Sequence, residues 1–108
     1  MRFKIVLVPF PFDDFTRTKV RPAVCLTDIT GVHEHLIVAF ITSQQPDEKL
    51  ASDIELPATI NNGLKVNSFL RLHKMATMPL SLITNELGEI SIEKQSQVIN
   101  ALKVLFKL

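Results

Sequence analysis

The chain of 108 residues is 46% hydrophobic and 21% charged, a globular balance that excludes a disordered tail. Twelve basic residues against eleven acidic ones leave a formal charge of +1, so a site for a polyanion must be a local cluster. The lone cysteine, Cys25, can form no internal disulfide and has no partner set for zinc, which suits a reducing cytoplasm.

The length fits a single domain over residues 1–108, with one core. Arg2 and Lys4 precede an apolar run over residues 5–12. Pro9 and Pro11 interrupt it, Asp13 and Asp14 end it, and no small-residue cleavage site follows, so no secretory leader is expected. Residues 36–41 form the longest uninterrupted apolar run elsewhere and are too few to cross a bilayer, so no membrane partner is expected.

In chain order, the β-branched residues 5–8 predict a first strand buried on both faces, ended by Pro9. Residues 13–19 read as a polar loop carrying Arg17 and Lys19. A second strand is expected over 23–27. Pro22 biases Arg21 to extended backbone, which holds Arg21 at the strand's mouth. Residues 28–35, around Gly31, predict the turn of a hairpin whose third strand is 36–41. Residues 53–56 alternate as a short half-exposed strand, and Asn61-Asn62-Gly63 is a turn signal. The strand expected over 68–74 sends Leu70 and Leu72 one way and Arg71 and His73 the other. Pro79 breaks that pattern, and residues 86–90 supply a further short strand with Gly88 as a bend.

A helix closes the chain. Ser91 is its expected N-cap, Glu93 suits the first turn, and Val98, Ala101, Leu102, Leu105 and Phe106 follow helical spacing. Several short strands and one terminal helix predict a mainly β fold, a small curved sheet or barrel capped by that helix.

Polar groups at strand ends carry the chemistry. In an antiparallel hairpin the start of strand two lies beside the end of strand three, so Arg21 meets Thr42 and Ser43. A guanidinium fork and a hydroxyl together suit a phosphate. Arg71 and His73 could close such a site from a third strand. Spacing alone is better served by a plainer reading, with the hydroxyl tying off a strand end and Arg71 and His73 on a solvated face. His33 and His35 flank Glu34 in the hairpin turn and read as surface residues. With no third ligand in view, no metal site is expected.

The ordered set Val6-Leu7-Val8-Pro9-Phe10-Pro11-Phe12, Lys19-Val20-Arg21-Pro22-Ala23, Ala39-Phe40-Ile41-Thr42-Ser43-Gln44 and Ser68-Phe69-Leu70-Arg71 resembles the PemK/MazF (Kid) toxins of bacterial toxin–antitoxin systems. The match continues into the helix ending Leu105-Phe106. The resemblance implies an SH3-like β-barrel with a C-terminal α-helix, usually as a homodimer. It implies an endoribonuclease that needs no metal or cofactor, cuts single-stranded RNA such as mRNA at a chosen sequence, and is held inactive by a cognate antitoxin protein.

By the same resemblance Arg21 and Thr42 match the family's catalytic arginine and threonine. Arg71 matches a second arginine, and His73 falls where members carry an acidic residue proposed as the base. Arg17, Lys19, Ser43 and Gln44 lie on RNA-contacting loops, and Lys74 adds a cation beside Arg71. The chain departs from the family at Phe3-Lys4, which replaces a Gly-Asp, in its short first loop, and at His73. Such an enzyme would use the RNA's own 2′-hydroxyl as nucleophile, giving a 2′,3′-cyclic phosphate and a 5′-hydroxyl. That reaction needs a base, an acid and donors for the charged phosphorane-like state. Arginine is too strong a base in its free form to be deprotonated at neutral pH, so Arg21 suits the donor role. His73 titrates naturally near neutrality, and Arg71 and Lys74 beside it should lower its pKa. A competing reading is the same barrel as a non-catalytic binding module, of which the gyrase-poisoning toxins are one version.

Overall fold

A computed structural model describes residues 1–9 and 19–108. Phe10, Pro11, Phe12, Asp13, Asp14 and Arg17 lie outside the described residues. The elements are β1 (Lys4–Pro9), β2 (Val20–Cys25), β3 (His35–Thr42), β4 (Asp53–Leu56), β5 (Ser68–Pro79), a 3-10 turn (Leu80–Leu82), β6 (Asn85–Glu89) and α1 (Ile92–Phe106). The six strands form one antiparallel sheet in the order β4-β5-β3-β2-β1-β6, curled into a half-barrel. Among the described residues the sheet therefore ends in two edge strands, β4 and β6.

Both faces of the central strands are buried, which is why β1 and β3 read as continuous apolar runs. Ile5, Val24, Ala39, Ile41, Leu70 and Leu72 face one core, and Val98 and Ala101 of α1 pack into it. Val6, Val8, Ala23, Cys25, Val38 and Phe40 face the other. Burial pushes the Cys25 thiol up to about 11, so it is a packing residue and not a nucleophile at neutral pH. Ser91 caps α1 as expected, its hydroxyl accepting from the Lys94 N–H at 3.2 Å. Lys107 ends the helix in the left-handed region at φ 57°.

Three elements differ from the sequence reading. β2 begins at Val20, so Arg21 lies inside the strand, opposite Val8 of β1, and not at its mouth. Pro22 is tolerated because pairing with β3 stops at Ala23, while pairing with β1 runs on past it. β5 extends to Pro79, well beyond residue 74, because its second half pairs with the start of β3. Asp53, read as half-exposed, is buried. Its cause is the partner described below.

Phe3 adopts φ 70°. A bulky residue rarely enters that region. Here its ring is buried beside Val98 and Ala101 in the helix-side core, and its N–H donates to the Cys25 carbonyl at 2.7 Å. Burial and a short ladder bond hold the strained backbone in place. The turn at Asn61-Asn62-Gly63 is equally fixed. The Asn62 side-chain oxygen accepts from the N–H groups of Thr59 and Leu64, and its amide donates to the Pro57 carbonyl at 2.8 Å. Gly88 of β6 packs so close to this turn that a Cβ there would lie 2.2 Å from the Asn61 carbonyl oxygen.

Candidate functional site

β2, β3 and β5 bring their polar residues to one cleft of about 630 Å³. Arg21, Thr42, Ser43, Gln44, Arg71 and Lys74 all line it. The hairpin register accounts for the first pair. Pairing of β2 with β3 ends where Ala23 faces Phe40, and two residues beyond that point on the two strands stand Arg21 and Thr42. The Gln44 N–H donates to Thr42 Oγ1 at 3.2 Å. That bond is the strand-end tie foreseen by the plainer reading. It engages one lone pair and leaves the hydroxyl its own proton to donate, so the tie and a donor role are compatible.

Arg71 and Lys74 reach the same cleft through an irregularity. Ala39 faces Met75, whereas the next residue, Phe40, faces Arg71, so residues 72–74 of β5 have no partners in β3. In an unbroken strand, side chains three apart leave on opposite faces. The bulge re-aims Lys74 so that it joins Arg71. His73 lies beside the cleft and is not among its lining residues, though it keeps to the Arg71 side. Lys19 is exposed and likewise does not line it. Arg17 lies outside the described residues.

The residue that sequence reasoning missed is Asp53. Its side chain is 0% exposed, and its two oxygens take Arg71 Nε at 3.1 Å and Arg71 Nη2 at 3.2 Å. The Leu50 N–H adds a third bond to Asp53 Oδ2 at 2.8 Å. His73 Nδ1 stands 4.0 Å from Asp53 Oδ1, outside hydrogen-bond range. Burial lowers the His73 pKa below its ordinary value, as do Arg71 and, less strongly, Lys74; Asp53 opposes them. The direction agrees with expectation, but the first cause is desolvation and not the neighbouring cations. Asp47 and Lys65, which the sequence did not single out, also line the cleft. The single signal for Asp53 was its charge, opposite to that of Arg71, and only the β4–β5 register makes them partners.

Among the described residues no three His, Cys, Asp or Glu side chains gather as a metal ion would need. No helix is long and apolar enough to cross a membrane.

A curled antiparallel sheet with a C-terminal helix defines a small, mainly β protein, and two arginines and a hydroxyl line its cleft. Comparison with known proteins names the family. The model of the PemK-like, MazF-like toxins of type II toxin–antitoxin systems matches residues 1–106, and the chain belongs to that family. The Mycobacterium tuberculosis toxin MazF-mt6 superposes with a TM-score of 0.75 at 22% identity, over 97% of each chain. MazF from Deinococcus radiodurans gives 0.76 at 19% identity, covering 99% of this chain and 96% of its own. A mycobacterial endoribonuclease in complex with its cognate antitoxin gives 0.76 at 9% identity, covering 100% of this chain and 95% of that one. At these identities the likeness is one of fold. No curated protein matches the chain in sequence.

Proposed function

We propose that this chain is the toxin's catalytic unit, an endoribonuclease that cuts single-stranded RNA by attack of the RNA's own 2′-hydroxyl. The observation that carries the reading is the convergence of Arg21, Thr42 and Arg71 on one cleft. In this reading Arg21 and the Thr42 hydroxyl donate to the phosphate oxygens as negative charge develops, the task for which preorganised donors are most effective. Arg71 adds its guanidinium from the opposite strand. Neutral His73, beside Arg71, takes the 2′-hydroxyl proton, and its lowered pKa keeps it unprotonated at physiological pH. Ser43, Gln44, Lys74 and, from outside the cleft, Lys19 hold the flanking nucleotides, as does Arg17. The leaving 5′-oxygen takes its proton from solvent water in the cleft, giving the 5′-hydroxyl.

The whole chain acts as one domain, in the cytoplasm, as a homodimer whose partner in the resting cell is an antitoxin. An acidic antitoxin segment would compete with RNA for Arg21, Arg71 and Lys74. A saturating antitoxin that left the cutting rate unaltered would count against that competition. The experiment on the main reading incubates purified protein with end-labelled single-stranded RNA in EDTA. Fragments ending in a 2′,3′-cyclic phosphate, paired with 5′-hydroxyl fragments, are the expected result. Intact RNA, or 5′-phosphate fragments, would overturn the reading.

A further inference from the structure

We propose that Asp53 is a positioning residue of this site, a buried carboxylate that holds Arg71 in the one orientation able to receive a phosphate. The assignment rests on the RNA-cleaving reading of the cleft. Asp53 sits at the start of the edge strand β4, directly opposite Arg71 in β5. Its grip is side-on: Nε and Nη2 of Arg71 both donate to it. Nη2 also donates to the Glu48 carbonyl at 3.4 Å. Nη1 makes no hydrogen bond among the described residues, so a guanidinium fixed along one edge keeps its remaining donors for a ligand.

The same pair fixes a wall of the cleft. Asp53 Oδ2 accepts from the Leu50 N–H, the Asp53 N–H donates to the Leu50 carbonyl, and Arg71 reaches Glu48. Residues 48 and 50 belong to the β3–β4 loop, whose Ser43, Gln44 and Asp47 line the cleft. One buried ion pair thus sets both the Arg71 donor and the loop facing it. A pair buried to this degree is a poor device for stability, because desolvation offsets most of its attraction. Orientation is what it supplies.

The sign of one substitution separates this role from simple electrostatics. Asp53→Asn removes a negative charge beside a site for a polyanion, so charge alone predicts tighter RNA binding. Positioning predicts the opposite, because an amide offers one acceptor where Arg71 needs two. The test measures kcat/KM for RNA and the affinity for a 2′-deoxy oligonucleotide, which has no 2′-hydroxyl to attack. The side-chain NMR signal of Arg71 Nε–H is followed in the same samples.

The expected result is a protected Nε–H in the wild type that is lost in Asp53→Asn. Oligonucleotide binding should weaken, and kcat/KM should fall by roughly a hundredfold, the scale of an ångström-sized misplacement. Arg71→Gln should make the further Asp53→Asn change nearly silent, since Asp53 acts through Arg71. Arg71→Lys keeps the charge without the fork and should lose activity too, which keeps the idea testable if Asp53→Asn misfolds. Tighter or equal oligonucleotide binding by folded Asp53→Asn would overturn the proposal. So would wild-type kcat/KM in Arg71→Lys, or a full additional loss in the Arg71→Gln background. Should the wild type leave RNA intact, the cleavage reading fails by itself, and oligonucleotide binding by the variants still decides the role of Asp53.

Discussion

Thr42→Val removes a hydroxyl while keeping size and β-branching, and two different losses follow from the structure. The structural loss is the bond from the Gln44 N–H to Thr42 Oγ1 at 3.2 Å. Gln44 is exposed, so water can satisfy its freed N–H, and the cost is that of an ordinary hydrogen bond, about 0.5–1 kcal/mol. For a domain near this size that lowers Tm by roughly 2–8 °C. The catalytic loss is a donor to the developing phosphorane charge, worth about a hundredfold in rate or about 2.7 kcal/mol. If Thr42 is only a strand-end tie, the variant should melt early yet cut RNA at the wild-type rate per folded molecule. If it is a donor, kcat should fall about a hundredfold at temperatures where the variant is fully folded. Thr42→Ser, which restores the hydroxyl, should recover most of that loss. Cleavage of end-labelled RNA, alongside thermal melting by circular dichroism, reads both quantities from the same preparations. Full activity in folded Thr42→Val would refute the donor assignment.

Arg21→Ala should abolish most cleavage, by about a hundredfold or more, while the exposed position leaves the core packing intact; a wild-type rate would remove Arg21 from the chemistry. The His73 pKa is lowered in the folded protein, so the rate should rise with pH along a limb centred below about 6.5 and level off above it. His73→Ala should flatten that limb and slow the reaction, and His73→Asp should retain activity with the limb moved lower; an unchanged limb in the Ala variant would exclude His73. By linkage the same shift makes stability fall as pH drops through about 6.5, because the unfolded chain takes up that proton first, and His73→Ala should lessen the fall. Gly88→Ala forces a Cβ against the Asn61 backbone and should destabilise by about 2 kcal/mol or more, seen as a lower denaturant midpoint; an unchanged midpoint would mean the turn yields freely.

Local sequence alone determined much of this protein. Apolar runs over 5–8 and 36–41 and the charge-alternating 68–74 became strands because the pleat puts successive side chains on opposite faces, a rule that each segment obeys by itself. Ser91 and the helical spacing after it announced α1 in the same local way. That Arg21 and Thr42 would come to one side of the hairpin was also legible, and both line the cleft, because consecutive strands joined by one turn have few registers open to them. Tertiary structure alone decided what lies between strands distant in sequence. Asp53 and Arg71 are 18 residues apart, and whether they meet depends on how the intervening loop closes and which register buries Ile54 and Leu70 together. The bulge at residues 72–74 is likewise invisible in a period-two pattern, since it arises where β5 must serve β3 and the edge strand β4 at once. Reading Arg71 and His73 as one face was therefore right about the strand and incomplete about the site. Burial of a carboxylate is a property of its neighbours, and the neighbours of Asp53 are set by the folded sheet.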